Sequence, residues 1–316
     1  MSTLTLILPV RNRAHCVVRT LDSIAASTLL PAQLIIVDNG STDDSLTICR
    51  EWAERHGADG MDIRVLSELR PGANVARNRG LAECTSEFVA FFDSDDLFDA
   101  AFVADVVAGI ASAERTPDLL FLPSRQEVNG HVQTRFYRRS ADPAVHVLTS
   151  MLSTQSMVFR TEWLRQIGGW DERLGVWQDW ELGLRALLHT PRVQWLTARA
   201  YHRILIHADS ITGGSFTQTL DGMLAAMQVA MDLTNGREPL HVRTRIALRL
   251  RAMIMAGHLQ REHCAEGAKA FQELATRCVP HSAKPLWWLG RLLFRYVAFG
   301  GRGAWRIALF YSEKVL

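Results

Sequence analysis

Apolar and polar positions fall in alternating blocks along the first part of the chain. "LTLILPV" (residues 4–10) is a short apolar run closed by proline and valine, and "AQLIIVDNGS" (32–41) is a second, closed by Asp-Asn-Gly-Ser. Each precedes a segment of helical period, "AHCVVRTLDSIAAS" (14–27) and "DDSLTICREWAERHG" (43–57). "DIRVLSE" (62–68), the glycine-opened "GANVARNRGLAEC" (72–84) and "EFVAFFD" (87–93) repeat the alternation. Continuous apolar strands with helices between them are buried on both faces, which predicts a mostly parallel sheet in an α/β fold. Ligands of such sheets lie beyond the carboxyl ends of the strands. Asn12, Asp38, Asp43 and the acidic cluster at Asp93 all fall at those ends.

Further along, "DLLFLPSR" (118–125) and "EVNGHVQTRFYRR" (127–139) predict strands, with Asn129-Gly130 as a hairpin turn. "STQSMVFRTEWLRQIGGWDERL" (153–174) predicts a strand, a short helix and a glycine loop. A helix over "QDWELGLRALLH" (178–189) and a strand over "VQWLTARAYHRI" (193–204) follow, and beyond residue 216 the pattern is helical. The expected division is an α/β region, 1–215, and a helical C-terminal region, 216–316.

Composition adds an asymmetry. The 316 residues are 48% hydrophobic, enough to bury a full core, and carry a net charge of only +2. From Arg237 onward, however, 14 Lys/Arg stand against 5 Asp/Glu, whereas the preceding residues carry 21 against 28. The acidic part holds the predicted cleft, which argues against nucleic acid as a partner. Five scattered cysteines without a C-x-x-C pair suggest a reducing, cytoplasmic compartment. The N-terminal run lacks the basic flank and small-residue cleavage site of a signal peptide. "PVRNRAH" (9–15) is neither a glycine- and lysine-rich phosphate loop nor G-x-G-x-x-G, so the usual nucleotidyltransferase and dehydrogenase signatures are missing.

"FFDSDDLF" (91–98) carries the most chemistry. Three carboxylates between pairs of large apolar side chains are costly without a positive partner. If the chain stays extended, alternation puts Asp93 and Asp95 on one side and Ser94 and Asp96 on the other. Paired carboxylates at a strand end suit Mg²⁺ or Mn²⁺ carrying phosphate. The competing reading is an N-cap or solvated turn before the helix that follows.

Together, "ILPVRNR" (7–13), "IIVDNGSTDDS" (36–45), "GANVARNRGL" (72–81), "FFDSDDLF", "GGWDERL" (168–174), "QDWELGLR" (178–185) and "YHRILIHADSIT" (201–212) resemble, in order, a family 2 glycosyltransferase with the GT-A fold. That resemblance implies an inverting, metal-dependent sugar transfer from a nucleotide-diphosphate donor, a UDP-sugar, to a glycan or lipid-linked acceptor of a bacterial surface polysaccharide. A non-catalytic nucleotide-sugar-binding or scaffold protein of the same fold is the alternative.

The resemblance also implies roles. Pro9, Val10 and Asn12 line the nucleoside pocket, and Asp38 accepts the uracil imide N–H, with an Asx turn as its alternative. Arg77 and Asn78 reach the base or phosphates. Asp93 lies near the ribose and metal, Ser94 is a nucleotide-binding residue, Asp95 is the direct ligand of Mn²⁺ or Mg²⁺, and His207 is a further ligand or else a structural histidine. Asp179, in the first turn of its helix, is the catalytic base, kept ionised by the helix N-terminus. Gln178 stands where the family usually has an acidic residue, so Glu181 is held as reserve base and Trp180 as an acceptor-side aromatic. Arginines interleaved with Trp, Phe and Tyr over 286–316 suggest peripheral attachment to anionic lipid on the inner face of the plasma membrane. Packing on protein, including a homodimer, is the other reading of that tail.

Overall fold

The computed structural model describes residues 3–57, 60–128, 130–206, 215–278 and 284–315. By its internal contacts the chain forms two compact units: residues 1–139, 152–175 and 191–207, and residues 140–151, 176–190 and 208–316. The division interleaves, unlike the contiguous cut at 215/216 expected from the sequence. Two short segments that precede that cut group with the C-terminal helices.

The first unit is built on a seven-stranded sheet of order β3-β2-β1-β4-β8-β5-β9. Its strands are β1 (Leu4–Val10), β2 (Gln33–Asp38), β3 (Asp62–Ser67), β4 (Phe88–Phe91), β5 (Leu119–Phe121), β8 (Met157–Arg160) and β9 (Val193–Trp195). β1, β2, β3 and β4 are mutually parallel, joined through α1 (Val17–Ala25), α2 (Ser45–His56) and α3 (Ala73–Glu83), as the apolar blocks predict. β8 departs from that pattern, running antiparallel to both β4 and β5.

Pro9 sits inside a strand paired on both sides, where a missing N–H is normally costly. The pairing of β1 with β4 ends at Ile7 and Phe91, so β4 has already turned away when β1 reaches Pro9. Helix α3 lies close over β1. A Cβ on Gly80 would stand 2.5 Å from Cγ2 of Ile7, so only glycine permits this approach.

A smaller sheet orders as β10-β6-β7, with β6 (Ser124–Val128) antiparallel to β7 (His131–Thr134) and parallel to β10 (Tyr201–Ile206). The single strand expected over 193–204 is thus two strands in two sheets, β9 and β10, separated by an irregular stretch. α4 (Phe102–Ala111) and α6 (Thr161–Gln166) complete this unit.

The second unit is helical: α5 (Pro143–Thr149), α7 (Gln178–Leu188), α8 (Leu220–Leu233), α9 (Pro239–Arg261), α10 (Ala265–Cys278), α11 (Lys284–Ala298) and α12 (Ala304–Val315). α9 is its centre, with α5, α8, α10, α11 and α12 packed against it. Its long buried stripe includes Leu248, Leu250, Met253, Ala256 and Leu259. Where α11 meets α9, a Cβ on Gly257 would stand 2.7 Å from Cβ of Val297, so this contact also depends on glycine.

Candidate functional site

Register brings the predicted nucleoside residues to one edge of the main sheet. Val10 pairs with Asp38, and Asp38 with Ser67, so the carboxyl ends of β1, β2 and β3 are level. Val10 is buried and Pro9 half-buried. The loops that leave these strands are tied to one another. Asn12, at φ +52°, donates its backbone N–H to Ser41 Oγ (3.0 Å) and accepts the Thr42 N–H on Oδ1 (2.8 Å). Arg13 N–H donates to Ser45 Oγ at 2.7 Å, and Asp43 accepts from Ala14 N–H and Ser45 N–H. The Asn39 amide donates to the carbonyls of Glu68 and Arg70 and accepts the Gly72 N–H at 2.8 Å. Gly72 takes φ +133°, a conformation suited to glycine, and opens α3.

Asp38 ends β2 only 2% exposed. Its Oδ2 accepts the Ser41 N–H at 3.2 Å, the contact of an Asx turn. Its Oδ1 is buried and has no hydrogen-bond partner. A buried carboxylate oxygen left unpaired is costly, which marks this atom as an acceptor awaiting a donor. The turn therefore uses Oδ2 alone and leaves Oδ1 unpaired.

The acidic cluster does not remain extended. β4 stops at Phe91, residues 94–95 form a turn, and Asp96 N–H donates to the Asp93 carbonyl at 3.3 Å. The Thr20 hydroxyl, reaching in from α1, donates to the carbonyls of Ser94 (3.0 Å) and Asp96 (2.9 Å). The expected pairing of Asp93 with Asp95 is replaced by Asp93 with Asp96, because the Gln155 amide donates to Asp93 Oδ2 at 2.7 Å and to Asp96 Oδ2 at 2.6 Å. Asp95 has a different partner, accepting from Arg13 Nη2 at 3.1 Å with both side chains partly exposed.

Positive charge reaches the cluster as its apolar setting demands. Arg77 of α3 is 4% exposed, donates to Asp93 Oδ1 at 2.9 Å and lies over the Trp170 ring at 4.5 Å. Asn74 Oδ1 accepts from Arg77 Nη1 at 2.9 Å, fixing the guanidinium. Asn78, expected at the nucleotide, instead spends its amide on the loop that follows α6: it donates to the Trp170 carbonyl (2.8 Å) and Glu172 (3.0 Å), and accepts the Trp170 N–H (2.9 Å). Asp96 is 3% exposed, and burial, then the neighbouring Asp93 charge, pushes its carboxyl up to about 8 against hydrogen bonds from Leu205 N–H and Gln155. Ser94 is buried at the turn. His207 lies outside the described residues.

The donor set fits a hard divalent cation that also binds phosphate. Asp93 and Asp95 offer carboxylate oxygens that are partly exposed. Among the described residues no group of three His, Cys, Asp or Glu is disposed to hold a metal unaided. One or two carboxylates completed by diphosphate oxygens is the arrangement Mg²⁺ favours.

In the helical unit, α7 opens at Trp177, which occupies the cap position at φ +56° and provides no side-chain cap. Asp179 stands in the first turn, half-buried, and accepts the Trp180 N–H on Oδ1 at 2.8 Å. Trp180 is 2% exposed, with its indole N–H directed to the Val147 carbonyl (3.3 Å), so it is a packing residue rather than an acceptor platform. Glu181 is 1% exposed and held by Arg185 through bonds of 2.7 and 2.9 Å, which removes it as a reserve base.

Arg251 of α9 lies 4.3 Å from the Trp177 ring centre and 5.0 Å from that of Trp180. It donates to the Val147 carbonyl (2.9 Å) and Ser150 Oγ (3.0 Å). Burial pushes it down to about 10, with the Asp179 charge opposing. Arg13, Gln155 and Arg251 were all missed in the sequence. Arg13 stands within a recognised motif, and the polar run Ser153–Ser156 before an apolar strand was a usable sign of buried polar groups.

A family model described as "Glycosyl transferase family 2" matches residues 5–168. An uncharacterized glycosyltransferase of Escherichia coli, YibD, is 36% identical over 93 residues, covering 29% of this chain and 26% of that one. Glycosyltransferase GlyA of Streptococcus pneumoniae is 29% identical over 160 residues, which are 49% of this chain and 22% of its own length. The chain thus spans about a quarter of these two curated relatives. The succinoglycan biosynthesis protein ExoU of Rhizobium meliloti is 25% identical over 272 residues, 77% of this chain and 76% of that one. Among solved structures, residues 1–349 of Staphylococcus aureus TarS in complex with UDP-GlcNAc superpose with TM-score 0.70 at 20% identity, covering 100% of this chain and 92% of that one. A mannosyltransferase of Pyrobaculum calidifontis in complex with GDP-Man and Mn²⁺ gives TM-score 0.59 at 18% identity, over 99% and 88%. The fold is GT-A with C-terminal helices.

Proposed function

The chain belongs to glycosyl transferase family 2, and on that premise we propose that it moves a sugar from a UDP-sugar to a glycan or lipid-linked acceptor in bacterial surface polysaccharide synthesis. The observation that carries the donor assignment is the buried, unpartnered Oδ1 of Asp38 at the level end of β2. An imide N–H, as uracil carries, is the donor such an atom requires, while Pro9, Val10 and Asn12 line the same strand ends. UDP-GlcNAc bound to the TarS structure supports this choice, and succinoglycan synthesis by a relative supports the polysaccharide context.

Asp93 and Asp95 would hold Mn²⁺ or Mg²⁺, with His207 as a further ligand. Bound there, the cation supplies charge neutralisation for a departing diphosphate. The chain's own residues do the rest. Arg77 and Gln155 fix Asp93, Arg13 holds Asp95, and Asp179 takes the proton of the acceptor hydroxyl as it attacks the anomeric carbon from the side opposite the diphosphate, inverting it. Its place in the first turn of α7, half-buried, leaves Asp179 accessible for that task. A lipid-linked acceptor would bring the enzyme to a membrane surface on the cytoplasmic side.

Calorimetric titration with uridine and with guanosine tests the base assignment without metal. Uridine should bind the parent more tightly, and Asp38→Ala should lose about tenfold or more in uridine affinity, the scale of one hydrogen bond to a charged group. Equal uridine affinity in both proteins would return Asp38 to a turn residue. Hydrolysis of a UDP-sugar by the parent distinguishes an enzyme from a non-catalytic binder.

A further inference from the structure

We propose that the outer face of α11 and α12 is a docking surface for anionic lipid, holding the protein against a membrane without crossing it. Both helices turn an inner face to their own unit, where Leu293, Val297, Ala304 and Ala308 are buried. Outside, Trp288 is 71% exposed, Leu292 62%, Phe299 90% and Phe310 61%. Large apolar side chains exposed in this number on two adjoining helices are the kind of feature that marks an interaction site.

The charges on that face select the partner. Arg291, Arg295, Arg302 and Arg306 are exposed beside these apolar groups. From residue 284 to 312 the sequence has no aspartate or glutamate, and among the described residues none of the four arginines pairs with a carboxylate. At about 100° per residue, Trp288, Leu292, Arg295 and Phe299 fall within about 60° of one another, so the apolar and cationic groups share one face of α11.

A protein partner would have to cover exposed aromatics and match four unopposed positive charges at once. Anionic headgroups over acyl chains match both: the apolar groups enter the headgroup boundary while the arginine heads remain among phosphates. At 15 and 12 residues, with Gly300 and Gly303 at positive φ between them, the helices are too short to span. No helix among the described residues is long and apolar enough to cross a membrane. This deepens the membrane-surface element of the proposed function, but the binding itself needs neither donor nor acceptor.

The test is co-sedimentation of the full chain with phosphatidylcholine vesicles, with and without phosphatidylglycerol. The parent should sediment only with the anionic vesicles, and less at high salt. Arg291→Gln with Arg295→Gln, and separately Trp288→Ser with Phe299→Ser, should each lower partitioning by about tenfold or more. Both variants should keep the parental melting temperature and donor hydrolysis, since the substituted side chains are exposed and none is assigned to the donor or to catalysis. Loss of hydrolysis in the parent would count against the transferase reading and leave vesicle binding intact. Parental partitioning by both variants, or no vesicle binding by the parent, would overturn the proposal. A concentration-dependent dimer that Trp288→Ser with Phe299→Ser abolishes, without vesicle binding, would assign the face to a second copy of this chain.

Discussion

Gln155 donates one side-chain amide nitrogen to Asp96 at 2.6 Å and, through its second hydrogen, to Asp93 at 2.7 Å. With Gln155 4% exposed, this nitrogen bridges the Asp93 and Asp96 carboxyl groups at the end of β4. Gln155→Leu should destabilise the protein by about 1–3 kcal/mol by leaving a buried acceptor unpaired. Gln155→Glu should be worse, since a third carboxylate joins the pair. Urea unfolding measures both, and a Leu variant with the parental midpoint would show that water replaces the amide without cost.

Asp95 behaves differently because both it and its partner are partly exposed. Its pair with Arg13 has side-chain exposures of 22% and 30%, so Asp95→Ala should change stability by less than about 1 kcal/mol. Donor binding should nevertheless lose its dependence on Mn²⁺. Calorimetry with UDP at fixed Mn²⁺ and with chelator checks this. An undiminished metal effect in the variant would place the cation on other ligands.

His202 gives the fold a dependence on pH. Its ring is buried among Phe92, Phe98 and Phe102, accepts the Asp99 N–H on Nδ1 at 3.1 Å, and is pushed down to about 3 by burial and by Arg125. Between about 3 and 6.5 the unfolded chain therefore binds one more proton here than the folded chain, and stability falls as pH falls through that window. The slope approaches about 1.4 kcal/mol per pH unit for one proton. His258 is also pushed down by burial and adds in the same direction, so the measurement is a comparison. His202→Asn, tolerated at φ +52°, should be less stable at pH 7 yet show a shallower loss between pH 6.5 and 5. Parallel slopes for parent and variant would mean that His202 titrates alike in both states.

How much of this was legible in the sequence depends on whether the determining neighbour was local. β1 to β4 and the placing of Asp38 at a strand end follow from apolar runs closed by polar residues. The turn at Ser94 and Asp95 did not, because its determinant is the Thr20 hydroxyl, 74 residues away from Ser94 in the chain. Gln155 was hidden for the same reason, lying 59 residues from Asp96. Asn78 shares a helix with Arg77, but its partners at Trp170 and Glu172 come from a distant loop. Glu181 is the opposite case. Arg185 stands one helical turn later, so its loss as a reserve base was readable from the i,i+4 spacing. The antiparallel β8 and the split of 193–204 into two strands reflect sheet assembly, which periodicity does not encode.

The central claim is sugar transfer from a nucleotide-diphosphate donor with Asp179 as base, and the most direct measurement is release of UDP from a panel of UDP-sugars with Mn²⁺, for the parent and Asp179→Asn. The substitution keeps side-chain shape and the Oδ1 contact to the Trp180 N–H while removing the proton acceptor. The account predicts UDP release by the parent with one donor and acceptor, unchanged donor binding in the variant, and transfer slower by about 10²- to 10⁴-fold. No turnover of any UDP-sugar by the parent, or transfer by the Asn variant at the parental rate, would contradict it.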